Sequence, residues 1–209
     1  SIEISRKGEA GSYGGSITKS HAFDSKTLKN IYRKSKLKKA QSIKSLVWKE
    51  SLINTNLIKS DKFSLSNVIE REKRLRFMLP IRNPLDCTIS NIKTGHAKIF
   101  KGINQNYTAF DILESIIEEI HWFILKKQEY PDRFFYFFEN DISKNLFLDI
   151  ANFLKLNADK TWVINAESAF LVKSGYKHDS ELVKFYKKLI KNRFYKYPSI
   201  IDKFLTFNY

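Results

Sequence analysis

The chain has 209 residues, enough for one α/β domain with a sizeable core. Its 43% hydrophobic and 14% aromatic content excludes a wholly disordered chain. Seven glycines and four prolines exclude collagen-like and low-complexity designs, and the single cysteine, Cys87, excludes a disulfide framework and a cysteine-built zinc site.

Lys and Arg number 37 against 22 Asp and Glu, a formal charge of +15. Such an excess suits a polyanionic partner such as nucleic acid, an acidic membrane, a sulfated glycan or a phosphate-rich cofactor. A lysine-rich proteome accounts for it equally well. The apolar runs, such as Phe134 to Phe138, fall far below the roughly 20 residues of a membrane span. No apolar signal-peptide core stands at the start, so the expectation is a cytoplasmic protein with no membrane span.

Residues 1–16 are polar and glycine-rich, with Gly8, Gly11, Gly14 and Gly15, and read as loop. Residues 15–23 alternate enough for a short strand with a polar tip. Residues 26–49 carry nine Lys or Arg and no acid. Weak helical spacing through Leu28, Ile31, Leu37 and Leu46 predicts a basic helical segment running on through Trp48, Leu52 and Ile53. Ser64 to Glu72 predicts a short helix, and Leu75 to Ile81 a buried strand. Asn83-Pro84 opens a helix: Asn caps it, Pro takes the first helical position, and Asp86 lies in the first turn, where the macrodipole favours an acid.

Thr108-Ala-Phe-Asp111 has capping-box spacing and starts an amphipathic helix through Leu113, Ile116, Ile117, Ile120 and Ile124. Pro131-Asp132 breaks it. Arg133 to Phe138 predicts an aromatic strand. A helix follows with Leu146, Phe147, Ile150, Phe153 and Leu154 on one face, and a last amphipathic helix spans Ser180 to Tyr195. Strands alternating with helices imply an α/β fold, a parallel sheet flanked by helices on both faces. Ligands of such sheets bind beyond the carboxyl ends of the strands, which directs attention to the residues after Ile17, Ile81 and Phe138.

After Ile81 stands Arg82-Asn-Pro-Leu-Asp-Cys-Thr-Ile-Ser90. A guanidinium at a strand tip beside a helix N-terminus suits a phosphate, because free backbone N–H groups and the helix dipole favour an anion there. The plainer alternative is a strand-end Arg in a salt bridge and a Ser facing solvent. The segment Phe77 to Ser90 resembles the 3′-phosphate-binding segment of sulfotransferases that use 3′-phosphoadenosine 5′-phosphosulfate. There an apolar strand ends in Arg-Asn/Asp-Pro-x-Asp, with a Ser eight residues after the Arg, as Arg82 and Ser90 stand here. Thr18-Lys-Ser-His-Ala22 is similar to the family's Lys-Thr-His strand tip, and the period of a strand puts Lys19 and His21 on one face. Pro131 to Ile142 resembles the strand ending in Tyr-Glu-Asp-Leu, with Phe138 in place of the Tyr, and Phe153-Leu154-Lys155 is similar to the Phe-Leu-Gly that follows. These likenesses run in family order over roughly residues 15–157.

The resemblance implies a P-loop-nucleotide-hydrolase-like sulfotransferase fold in one domain, residues 1–209, with a basic helical insertion at about 24–74. It implies transfer of a sulfuryl group from 3′-phosphoadenosine 5′-phosphosulfate to a hydroxyl of a carbohydrate or small-molecule acceptor, without a metal. Arg82 and Ser90 would hold the 3′-phosphate and Phe138 would stack on adenine. His21 would serve as general base, and Lys19 would stabilise the leaving oxygen.

The sequence departs from the family in three places. The glycine phosphate loop close to Pro-Lys-Ser-Gly-Thr-Thr is not found ahead of Lys19, so the first strand and loop are expected upstream of Ser1 or in variant form. The interval from His21 to Arg82 is long, and no Arg-Lys-Gly motif follows Lys173; only Ser5-Arg-Lys-Gly-Glu-Ala-Gly11 has similar letters, at the wrong end of the chain. Glu139 reads as structural, and Glu118-Glu119 as solvated on the helix surface. His96, His121 and His178 lack partners at ligand spacing. Two other readings are a basic nucleic-acid-binding module, which lacks a helix-turn-helix, zinc finger or RNP-like pattern, and a non-catalytic sulfotransferase-like protein.

Overall fold

A computed structural model describes residues 53–60, 64–100, 103, 106–170 and 176–207. The predicted strand at 15–23, Lys19 and His21, and the basic run 26–49 lie outside the described residues. Contacts group the chain into two compact units, Val47–Leu156 with Val172–Tyr209, and Ser1–Leu46 with Asn157–Leu171.

In the first unit α1 (Ile53–Ile58) and α2 (Leu65–Arg71) precede β1 (Phe77–Ile81). Then come α3 (Pro84–Thr94), a 3-10 turn (His96–Ile99), α4 (Ala109–Glu129) and β2 (Phe134–Phe138). A second 3-10 turn (Glu139–Asp141) leads to α5 (Lys144–Phe153). The described part of the other unit is α6 (Lys160–Ala169), which Asp159 caps by accepting from the Trp162 N–H at 2.7 Å. Back in the first unit, α7 (Ser180–Arg193) and α8 (Pro198–Leu205) complete the order. The fold is α/β, largely helical, with one small sheet among the described residues.

The strands pair in parallel, from Phe77↔Phe134 to Ile81↔Phe138. The Phe77 N–H donates to the Arg133 carbonyl at 2.8 Å. Pairing starts at Phe77, two residues later than the apolar run suggests, because the Arg133 side chain contacts the carbonyls of Lys73 and Leu75. The pleat then divides β2. Phe134 and Phe138 enter the two hydrophobic clusters that α4 also builds, while Phe135 stacks on Phe153 of α5, ring centroids 5.1 Å apart. Helices therefore cover both faces of β2, as expected for a parallel strand.

Local chemistry sets the helix starts. Asn83 Oδ1 accepts from the Leu85 N–H at 3.0 Å with Pro84 at the first position. At α4 a full capping box forms: Thr108 Oγ1 accepts from the Asp111 N–H, and Asp111 Oδ2 accepts from the Thr108 N–H at 2.7 Å. At α7, Asp179 Oδ1 accepts from the N–H groups of Glu181 and Leu182. α3 ends at Gly95, whose φ of +72° suits a residue without Cβ. Lys155 takes φ of +55° after α5, the conformation a glycine adopts most easily.

The sequence pattern does not foresee α6 or α8, and it ends the last helix at Tyr195, where the structure ends α7 at Arg193 and opens α8 at Pro198. α8 is too short to show a periodic stripe, yet it buries Ile200 and Phe204. The Tyr186 hydroxyl donates to the Phe204 carbonyl at 2.9 Å inside the core. Glu118 and Glu119, expected to be solvated, instead tie elements together. Glu118 pairs with Arg193 of α7, and Glu119 accepts from Lys59 at 2.5 Å with only 16% of its side chain exposed. None of the helices among the described residues is long and apolar enough to cross a membrane.

Ile117 has no exposed surface and sits in the larger cluster. We expect Ile117→Ala to lower unfolding free energy by about 2–5 kcal/mol through lost burial and a residual cavity. Leu125→Ala on the same helix, where Leu125 is 39% exposed, should cost under about 1 kcal/mol. Urea denaturation followed by circular dichroism measures both, and equal losses would contradict this packing.

Candidate functional site

Because Ile81 pairs with Phe138, Arg82 and Glu139 leave the carboxyl ends of the two strands side by side. Glu139 is buried, 6% exposed. Its Oε1 accepts from the Asn83 N–H at 2.7 Å, and its Oε2 accepts from Arg82 Nε at 3.3 Å. One carboxylate thus joins the end of β2 to the tip of β1 and the start of α3. The Arg82 side chain remains 51% exposed, and its Nη groups have no partner among the described residues. Nε is occupied, and the terminal fork is the part able to meet an anion bidentately.

Ser90 lies seven residues past the Asn83 cap, two turns or about 10 Å along α3 and on the same face as Asn83, Asp86 and Cys87. It is half-buried. Among the described residues no hydrogen-bond partner engages its hydroxyl, while its carbonyl accepts from Thr94 Oγ1 at 2.8 Å. The N-terminus of α3 itself is buried: Asn83, Pro84, Leu85 and Asp86 are covered, the Asn83 N–H is taken by Glu139, and the Leu85 N–H by Asn83 Oδ1. Phe138 is placed differently from expectation. Its ring is 4% exposed and packed in the core edge-to-face on Phe204, centroids 5.2 Å apart, with Phe207 at 6.2 Å. A base stacking on Phe138 would first have to displace Phe207 or Phe204.

Sequence reasoning missed the partner of His178. Its Nε2 lies 2.9 Å from Asp86 Oδ1 in the first turn of α3, with 1% and 2% of the two side chains exposed. The approach is not aligned as a hydrogen bond, and neither that oxygen nor either ring nitrogen has another partner among the described residues. Nothing local announces this contact, because the two residues are far apart in the chain and meet only when α7 docks beside α3. Beside Asp86, burial pushes the Cys87 thiol up to about 11, which makes it a poor nucleophile at neutral pH. His121, the helix-flank histidine, packs edge-to-face on Phe194 at 5.4 Å, and burial holds its imidazole below the usual range. His96 Nδ1 lies 3.1 Å from the Thr94 hydroxyl. Among the described residues, no three His, Cys, Asp or Glu side chains cluster to hold a metal ion.

No protein-family model matches the chain, and no curated protein and no solved structure is significantly similar to it.

The His178–Asp86 contact predicts an unusual stability pattern. His178→Leu strands a buried carboxylate and should cost about 3–5 kcal/mol, whereas His178→Leu with Asp86→Leu removes both polar groups and should cost less than the single change. Thermal or urea unfolding of the two variants decides it. A double variant less stable than His178→Leu alone would show that the contact is not what holds these side chains.

Proposed function

We propose that the chain is a sulfotransferase-like protein of P-loop-like α/β fold that moves a sulfuryl group from 3′-phosphoadenosine 5′-phosphosulfate to a hydroxyl of a carbohydrate or small molecule. The observation that carries the reading is Arg82, held at the carboxyl end of a parallel strand by Glu139 with its side chain half exposed, one residue before the cap of α3, the helix that carries Ser90. Two further features support it. Helices cover both faces of β2, and Lys155 adopts a left-handed conformation where the resembling motif carries glycine.

In this reading the donor's 3′-phosphate receives the Arg82 fork, the Ser90 hydroxyl and the dipole of α3. His21 takes the proton of the acceptor hydroxyl as the new S–O bond forms. Lys19 stabilises the 5′-phosphate oxygen as the old S–O bond breaks, leaving adenosine 3′,5′-bisphosphate. Positioning and electrostatics supply most of the rate, as in phosphoryl transfer. The basic run 26–49 supplies charge for recruiting an anionic acceptor.

The first test is thermal. Adenosine 3′,5′-bisphosphate should raise the melting temperature more than adenosine 5′-monophosphate, and Arg82→Ala should remove most of the difference, since a charge-assisted phosphate contact is worth about 1.5–3 kcal/mol. Equal shifts from both nucleotides in the unaltered chain would overturn the assignment. Steep salt dependence of DNA binding without any nucleotide response would favour the nucleic-acid module instead.

The second test is chemical. His21→Ala should lose about 10²–10⁴ in transfer rate from labelled donor to a panel of hydroxylated acceptors while keeping nucleotide affinity. Undiminished transfer removes His21 from the mechanism. Nucleotide binding without transfer to any acceptor would mark a non-catalytic sulfotransferase-like protein.

A further inference from the structure

α7 begins next to His178, beside Asp86, and runs 14 residues, about 21 Å, away from it. At its far end, residues 192–197 fold against the second half of α4. Together with Leu189 they enclose an open cavity of about 510 Å³ with His121 and Leu125. That volume is in the range of small-molecule sites.

The lining has a definite chemistry. Leu125 and Leu189 supply an apolar wall, and Leu125 is 39% exposed. Tyr195 leaves 66% of its surface in solvent, a large exposure for an aromatic residue in an ordered turn. Arg193 is anchored from α4 by Glu118, and Lys196 Nζ lies 5.5 Å from the centre of the Tyr195 ring. Asn192 adds an amide, and no carboxylate lines the cavity. Basic residues at a helix C-terminus compensate the dipole, which accounts for Lys191 and Arg193. It does not account for an exposed leucine and an exposed tyrosine opening onto the same space.

We propose that this cavity is a second binding site, separate from Arg82 and Ser90, for a small planar anion: an aromatic ring bearing one phosphate or sulfate group. The ring lies between Tyr195 and the Leu125–Leu189 wall, where it loses apolar surface to both. The tetrahedral oxyanion meets the Arg193 guanidinium and the Lys196 ammonium. The partly buried His121 imidazole, which burial holds below its usual range, borders the ring.

Isothermal titration of the full chain with 2-naphthyl phosphate tests this, with inorganic phosphate and 2-naphthol as separate titrants. The aryl phosphate should bind at least about tenfold more tightly than either fragment, because the two contacts act on one molecule. Tyr195→Ala and Lys196→Gln should each weaken it about fivefold or more. Both residues are exposed, so the melting temperature should hold. Arg82→Ala should leave this binding unchanged. Three results would overturn the proposal: 2-naphthyl phosphate binding no better than inorganic phosphate, binding indifferent to Tyr195 and Lys196, or binding abolished by Arg82→Ala.

Discussion

The Glu139 carboxylate is the constraint on which the rest of the strand-end geometry depends. It is desolvated, a costly position for a charge unless its oxygens are satisfied. Satisfying them takes the Asn83 N–H and Arg82 Nε, and those two groups lie at the junction of β1 and α3. One charge therefore fixes three things: the pairing of Ile81 with Phe138, the residue at which α3 starts, and the direction in which Arg82 leaves the strand. α3 in turn packs on α4 and α7, so the error tolerated at this junction is small.

The same junction carries an electrostatic tension. Two acids, Glu139 and Asp86, flank the N-terminus of α3, and both must find partners in a desolvated place. Both are buried and turned toward partners, Glu139 to Arg82 and Asp86 to His178. What solvent meets is the half-exposed Arg82 side chain, while the first turn of α3 is buried. Glu139 acts in this way as the support of a cationic group. Glu139 orients a guanidinium that a free side chain would spread over many rotamers, and such pre-organisation lowers the entropic cost of binding.

How far the sequence foretold this follows from the range of each interaction. The caps of α2, α3, α4, α5 and α7 depend on residues two or three positions apart, so Ser64, Asn83, Thr108, Ser143 and Asp179 are visible in a linear reading. The parallel pairing is visible indirectly, through apolar runs separated by helical periodicity. α8 escapes because eight residues give two turns and only Ile200 and Phe204 inward. The Arg82–Ser90 spacing is legible as a motif, with an Arg82 salt bridge as the plainer alternative; the structure has the salt bridge to Glu139 while half of the Arg82 side chain stays exposed. The ring of Phe138 was legible as aromatic but its burial under Phe204 and Phe207 was not, since α8 supplies that cover. His178 was out of reach for the same reason, its partner lying on another helix.

The charge of +15 gains meaning from where the acids go. Lys59–Glu119, Arg82–Glu139, Arg193–Glu118 and Lys203–Asp141 each join two different elements of the first unit. α4 alone takes a cation from the α1 end and another from α7 through adjacent glutamates. The more exposed of these pairs contribute little energy individually, yet each joins one element to another. Acids spent on such ties are not available to neutralise other cations of the surface. Lys187, Lys188, Lys191 and Lys196 are exposed along and just beyond α7, and Glu181, the acid within that helix, is taken by Lys184 at 2.7 Å. With Glu181 so engaged, the exposed lysines that follow it run along α7 to the cavity at Tyr195 with no further acid in that helix to offset them.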